Sequence, residues 1–220
     1  VNDEARPRSP VTASVVLGVA VGVFGISFGV LASASGLSVA KACALSLLVF
    51  TGASQFAAVS VIGRGGSSAA AVGSALLLAA RNGVYGLTMA RILERGLGRR
   101  ALASQLVIDE STAMATAQAD VPNARRAFWA TGLAIYACWN LGTLIGAVGG
   151  GAIGHPETLG LDAAFPAGFL ALLVPHLKRM DGRLAALVGS GVSLVFIPFV
   201  PVGVPILLAV VGALAGVRGK

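Results

Sequence analysis

The sequence predicts an all-α, polytopic membrane protein of six or seven transmembrane helices. Three features carry that expectation: long apolar runs, few charges, and short polar or Gly/Pro breaks between the runs. Of the 220 residues 56% are hydrophobic and only 11% charged, with a mean hydropathy of +0.86. A water-soluble domain carries about a quarter charged residues. The net charge of +7 does not indicate nucleic acid, because the basic residues are spread between apolar runs instead of gathering on one face. Cys43 and Cys138 each lie inside an apolar run without paired spacing, so neither a disulfide framework nor a metal site is expected.

A polar tail, residues 1–14, precedes a single transmembrane domain, residues 15–217. Val15 to Ser33 is an unbroken apolar stretch, and about 20 residues suffice to cross a hydrocarbon core of ~30 Å. Arg6 and Arg8 ahead of it and Ala32-Ser33-Ala34 behind it resemble a signal peptide, but the apolar run is longer than such a segment needs. Further runs at 39–62, 68–90, 128–152, 163–177, 184–199 and 201–217 complete the set. Pro198, Pro201 and Pro205 make the last two runs either a tight hairpin or one broken helix.

Arg91, Arg95, Arg99, Arg100, Arg125 and Arg126 place the 91–126 segment in the cytoplasm. Lys178, Arg179 and Arg183 do the same for the next basic loop, and Arg218 and Lys220 for the C-terminus. Arg6 and Arg8 argue for an inside N-terminus, whereas three crossings before Arg91 would put it outside. A 68–90 segment that enters and leaves on one side would remove the conflict.

Internal similarity points to two repeats, 15–95 and 128–217, joined by a cytoplasmic segment, 96–127. Gly36-Leu37-Ser38-Val39-Ala40 resembles Gly160-Leu161-Asp162-Ala163-Ala164. Each copy follows a glycine-striped helix: Gly18, Gly22, Gly25 and Gly29 in one, Gly142, Gly146 and Gly150 in the other. Each precedes an interrupted apolar segment, broken at Arg81-Asn82-Gly83 and at Pro198 to Pro205. Paired interruptions suit a transporter whose site lies between repeats. Glycine stripes also suit close helix packing, and Gly/Ala-rich composition alone produces such likeness.

Polar groups inside apolar runs are costly unless they face a partner or water, so they nominate the site. Gly52 beside Ser54 and Gln55 weakens a long helix near its middle, where free backbone groups could meet a zwitterion. Gln55 could equally bond a neighbouring helix. Arg81, followed by Asn82 and Tyr85, offers a guanidinium to a carboxylate of substrate or protein. Residues 101–119 wind as one amphipathic helix with Leu102, Leu106, Ala113, Met114 and Ala117 on one side and Ser104, Gln105, Ser111 and Thr112 on the other. Asp109 and Glu110 fall in the apolar sector, as proton carriers or partners of Arg81. Trp139 and Asn140 lie well inside the fourth run, while Asp162 reads as a helix N-cap. His155 and His176 have no ligand partner at useful spacing, and no nucleophile constellation appears, so catalysis is not expected.

Together, Phe50-Thr51-Gly52-Ala53-Ser54-Gln55-Phe56, Arg81 with Tyr85-Gly86, Asp109-Glu110, Trp139 with Gly142-Thr143, and Gly160-Leu161-Asp162 with Phe165-Pro166-Ala167 and Phe169 resemble the AzlC (azaleucine-resistance) family. The resemblance runs from about residue 15 to 216. It implies the large subunit of a bacterial branched-chain amino acid exporter, a permease of the cell (inner, cytoplasmic) membrane embedded in the lipid bilayer. It further implies a small membrane partner of the AzlD type, export of valine, leucine, isoleucine or methionine, and proton coupling, with no cofactor. A structural or assembly subunit for another small amine or carboxylate is the alternative. The sequence departs from the family pattern at Ala79 and Asn82, where an Asn and a His are expected, and that bears on proton coupling and substrate range.

Overall fold

A computed structural model describes residues 10–94, 96–150, 170, 173, 174 and 176–218, and among these every regular element is helical. α1 (Pro10–Ala34) and α7 (Val121–Gly150) are the two described helices long and apolar enough to cross a membrane. They pack side by side and run in the same direction. Ser14 shares a 2.8 Å hydroxyl hydrogen bond with Thr131, and farther along Gly18 lies against Ala134, Gly22 against Cys138 and Gly29 against Thr143. The two glycine stripes interlock: a β-carbon at Gly146 would overlap the Ile26 carbonyl oxygen, and one at Gly142 the carbonyl of Gly22. Lipid gives two apolar helices no hydrophobic reason to associate, so close backbone approach supplies the attraction.

After α1 the chain does not make the single crossing expected of run 39–62. α2 (Val39–Leu48) starts beside the end of α1 and reaches the mid-height of α7, where the Tyr136 hydroxyl donates to the Leu47 carbonyl at 3.1 Å. α3 (Ala53–Gly63) then climbs back. Phe56 packs edge-on to Phe28 at 5.5 Å between centroids, and Gly63 ends against Ser35. The reversal lies at Val49 to Gly52, with Gly52 at φ +53°, a left-handed conformation that side chains with a β-carbon rarely adopt.

α4 (Ser68–Ile92) is continuous through Arg81-Asn82-Gly83, correcting both the expected interruption there and the re-entrant reading of 68–90. A lone glycine costs a helix interior only about 1 kcal/mol, and the segment contains no proline. With 25 residues it spans about 37 Å at ~1.5 Å per residue. It ends at the foot of α7, where Arg125 Nε donates to the Ile92 carbonyl at 2.6 Å.

The single helix expected over 101–119 is two, α5 (Leu97–Gln105) and α6 (Asp109–Thr116), broken at Leu106 to Ile108. That break overturns the predicted faces: Leu102 is 67% exposed, Ala113 and Ala117 are exposed, and Ser111 and Thr112 are buried. α5 and α6 form a second half-depth hairpin, rooted at the opposite end from the first. Its tip packs Leu106 on Gly132, and Gln105 Nε2 donates to the Leu47 carbonyl at 2.8 Å. The two tips therefore touch.

Past a 3-10 turn (His176–Lys178), α8 (Met180–Phe196), α9 (Val204–Leu208) and α10 (Val211–Arg218) make the tight-hairpin alternative. Ser193 Oγ donates to the Pro205 carbonyl at 3.0 Å, and Gly212 seats against Ala185. The turn leans on α4, with Ser74 Oγ donating to the Gly203 carbonyl at 3.3 Å. Asp162, His155 and most of run 163–177 lie outside the described residues.

The α1–α7 contact gives a direct stability test. Gly146→Ala forces a β-carbon into the Ile26 backbone and should destabilise the protein by about 1–3 kcal/mol. Gly149→Ala, with open space around that position, should be neutral or stabilising by up to about 1 kcal/mol. Thermal unfolding of both variants in detergent checks the pair.

Candidate functional site

The first tip is closed by Gln55, whose side chain is 0% exposed. Its Oε1 accepts from Gly52 N–H at 3.2 Å and its Nε2 donates to the Leu45 carbonyl at 3.1 Å. One amide thus pairs two backbone groups that the reversal leaves open, and the helix-bonding alternative for Gln55 is met within its own hairpin. Ser38 and Ser67 cap α2 and α4, whereas Gly52 has no side chain with which to cap α3. The first-turn N–H groups of α3 are therefore free of side-chain caps and carry the positive end of the helix dipole at mid-height. Trp139 lies over this turn, its ring 3.7 Å from where a β-carbon on Gly52 would sit, and it stacks with Phe28 at 6.1 Å.

The second tip presents α6, with Asp109 and Glu110 in its first turn, where the dipole favours negative charge. The Arg81 guanidinium meets Asp109 Oδ2 at 2.8 Å, with side chains 32% and 27% exposed. Tyr85 lies one turn along α4 from Arg81. Glu110 is partly buried, without an ion-pair partner among the described residues. Asn82 takes no part in the Arg81 pair.

The sequence-predicted residues thus form two groups. Gly52 sits under Trp139, with Ser54 and Gln55 in the turn that follows it and Asn140 donating from Nδ2 to the Tyr136 carbonyl at 2.8 Å. Arg81 meets Asp109, with Tyr85 one turn along α4 and Glu110 adjacent. Across both groups, Thr51 Oγ1, Ser54 Oγ, Arg81 Nε, Thr112 Oγ1, Trp139 Nε1 and Asn140 Oδ1 are buried without a hydrogen-bond partner. Each such group costs about 1–3 kcal/mol, so their concentration on these elements marks a functional region. Thr112 and the Gln105 bridge were assigned to the outer face by the one-helix reading, and Thr51 differed from its neighbours only in lying one residue before the glycine.

A model of the AzlC family, described as AzlC protein, matches residues 16–153. The chain belongs to the AzlC family. The inner membrane protein YgaZ of Escherichia coli (strain K12) is 32% identical over 185 residues, covering 78% of this chain and 75% of that protein. An uncharacterized membrane protein of Archaeoglobus fulgidus is 32% identical over 178 residues, 77% of this chain and 75% of its own length. Another, from Helicobacter pylori (strain J99), is 26% identical over 188 residues, 84% and 81% of the two chains. No solved structure matches. The AzlC match runs from α1 to just past α7, so both half-depth hairpins and the Arg81–Asp109 pair fall inside it, and the α8–α10 hairpin lies beyond.

Gln55→Leu removes the partner of both Gly52 N–H and the Leu45 carbonyl. It should destabilise this AzlC protein by about 2 kcal/mol or more, read as a lowered melting temperature, and more than Cys43→Ala, whose thiol is free.

Proposed function

We propose that this AzlC protein is the large subunit of a permease that exports branched-chain and related apolar amino acids, working with a small AzlD-type membrane subunit. The observation that carries the reading is the meeting, at mid-height, of two hairpins rooted at opposite ends of the bundle, joined by Gln105 and Leu47. Irregular backbone is tolerated at membrane depth only where protein or a cavity shields it. Broken helices at the midplane are where transporters place their sites. Alternating access follows if each hairpin in turn withdraws from the other.

The basic residues give the direction. Arg91, Arg99, Arg100, Arg125 and Arg126 gather at the end where α1 begins, and only Lys41 and Arg64 belong to the hairpin rooted at the far end. The positive-inside rule then assigns the first end to the cytoplasm of a bacterial inner membrane, with the N-terminus inside. Asp109 and Glu110, on the hairpin rooted there, are the candidates for proton coupling. The work is transport, not catalysis. A branched side chain buried against Phe28, Phe56 and Trp139 would contribute about 1.5–3 kcal/mol, and one methylene would change selectivity only about 10 to 200-fold.

Efflux of preloaded labelled valine, leucine, isoleucine and methionine from cells expressing the chain with its small partner tests this. Accelerated efflux that stops when the proton gradient collapses is expected, with Arg81→Ala slowing it at least tenfold because Asp109 loses its partner. Absence of efflux for all four, with the protein in the membrane, contradicts the substrate class.

A further inference from the structure

Resting on that amino-acid reading, we infer that the substrate's α-carboxylate seats on the uncapped first turn of α3, against Ser54, Thr51 and the Trp139 indole N–H, and not on Arg81. Arg81 Nη2 already meets Asp109 Oδ2 at 2.8 Å, which offsets its charge with a protein carboxylate, although its Nε keeps no partner. The first turn of α3 is in the opposite condition. Its N–H groups project from an 11-residue helix with no capping side chain, while α2 and α4 have serine caps.

Two further observations come from side chains. Ser54 Oγ, in a residue 1% exposed, and Trp139 Nε1, in a residue 4% exposed, are both donors without a hydrogen-bond partner. They come from different helices, and Cη2 of the Trp139 ring lies 3.7 Å from where a β-carbon on Gly52, the residue that opens the turn, would sit. Thr51 adds a third unpaired hydroxyl on the other side of Gly52. Backbone N–H groups, an indole N–H and two hydroxyls that can each donate make a donor-rich set that suits a carboxylate. The set carries no formal charge, so it can hold a monoanion and release it, as a transport cycle requires. Gly52 at φ +53° is what lets the backbone turn its N–H groups into this position.

The test is binding of labelled leucine to membranes containing the full chain and its small partner, with leucinamide and 3-methylbutylamine as competitors. Wild type should prefer leucine to either carboxylate-free analogue by at least tenfold. Ser54→Asp places a carboxylate on the same turn, which the helix dipole favours. It should keep its melting temperature and lose leucine binding at least 100-fold. Ser54→Ala provides the milder readout should the aspartate fail to fold: leucine affinity should fall about tenfold while leucinamide affinity stays fixed. Leucinamide binding wild type as tightly as leucine, or either folded Ser54 variant binding leucine normally, overturns the carboxylate seat while the exporter reading stands. Wild-type membranes that bind none of valine, leucine, isoleucine and methionine overturn both.

Discussion

The backbone contact between α1 and α7 determines what the rest of the chain can do. Glycines on both helices bring carbonyl oxygens of one against α-carbons of the other, and the register from Ser14 beside Thr131 to Val30 beside Gly150 makes the pair parallel. Parallel helices begin at the same end, so the chain between them must cross an odd number of times, and α4 makes that crossing alone. The rest of the chain between α1 and α7 leaves and re-enters at a single end in each hairpin. The segments 35–67 and 93–120 are half-depth hairpins, one from each end.

A half-depth hairpin in an apolar surrounding leaves backbone groups at its tip that need partners. Gln55 answers two of them in the first hairpin, and Ser111 Oγ serves the second by accepting from Ile108 N–H at 3.2 Å and donating to the Leu106 carbonyl at 2.6 Å. The tips also bind each other, since Leu47 offers one carbonyl to both Gln105 and Tyr136. What is left over, the first turn of α3 and the unpaired side-chain atoms around it, is polar, buried and central. The same feature that strains the fold therefore equips it for a polar ligand, and the charged pair Arg81–Asp109 joins α4 to the opposing hairpin.

The membrane class and nearly all the apolar runs were legible in the sequence because hydropathy is local. Reversal inside a run was not. Run 39–62 has no proline and no charge to mark its turn other than Lys41 near its start, only Gly52, and a glycine in an apolar run reads equally as a packing residue. Arg81-Asn82-Gly83 looked like a stronger break yet is plain helix, because the arginine is accommodated by Asp109 from another element. The carboxylates themselves were legible, but their surroundings depended on a break at Leu106 to Ile108 that no glycine or proline announces. The N-terminal conflict found in the charge pattern had the right kind of solution in the wrong segment: the re-entrant piece is 39–63, not 68–90.

Because the account depends on that reversal, the side of the membrane on which the two ends of the first hairpin emerge tests it most directly. Lys41→Cys and Arg64→Cys, each alone in a chain with Cys43 and Cys138 replaced by alanine, would be exposed to a membrane-impermeant maleimide in intact cells. The account predicts that both positions label from outside, while Arg100→Cys labels only after the membrane is opened. Labelling of Lys41→Cys and Arg64→Cys from opposite sides would mean that the segment crosses, and would contradict it.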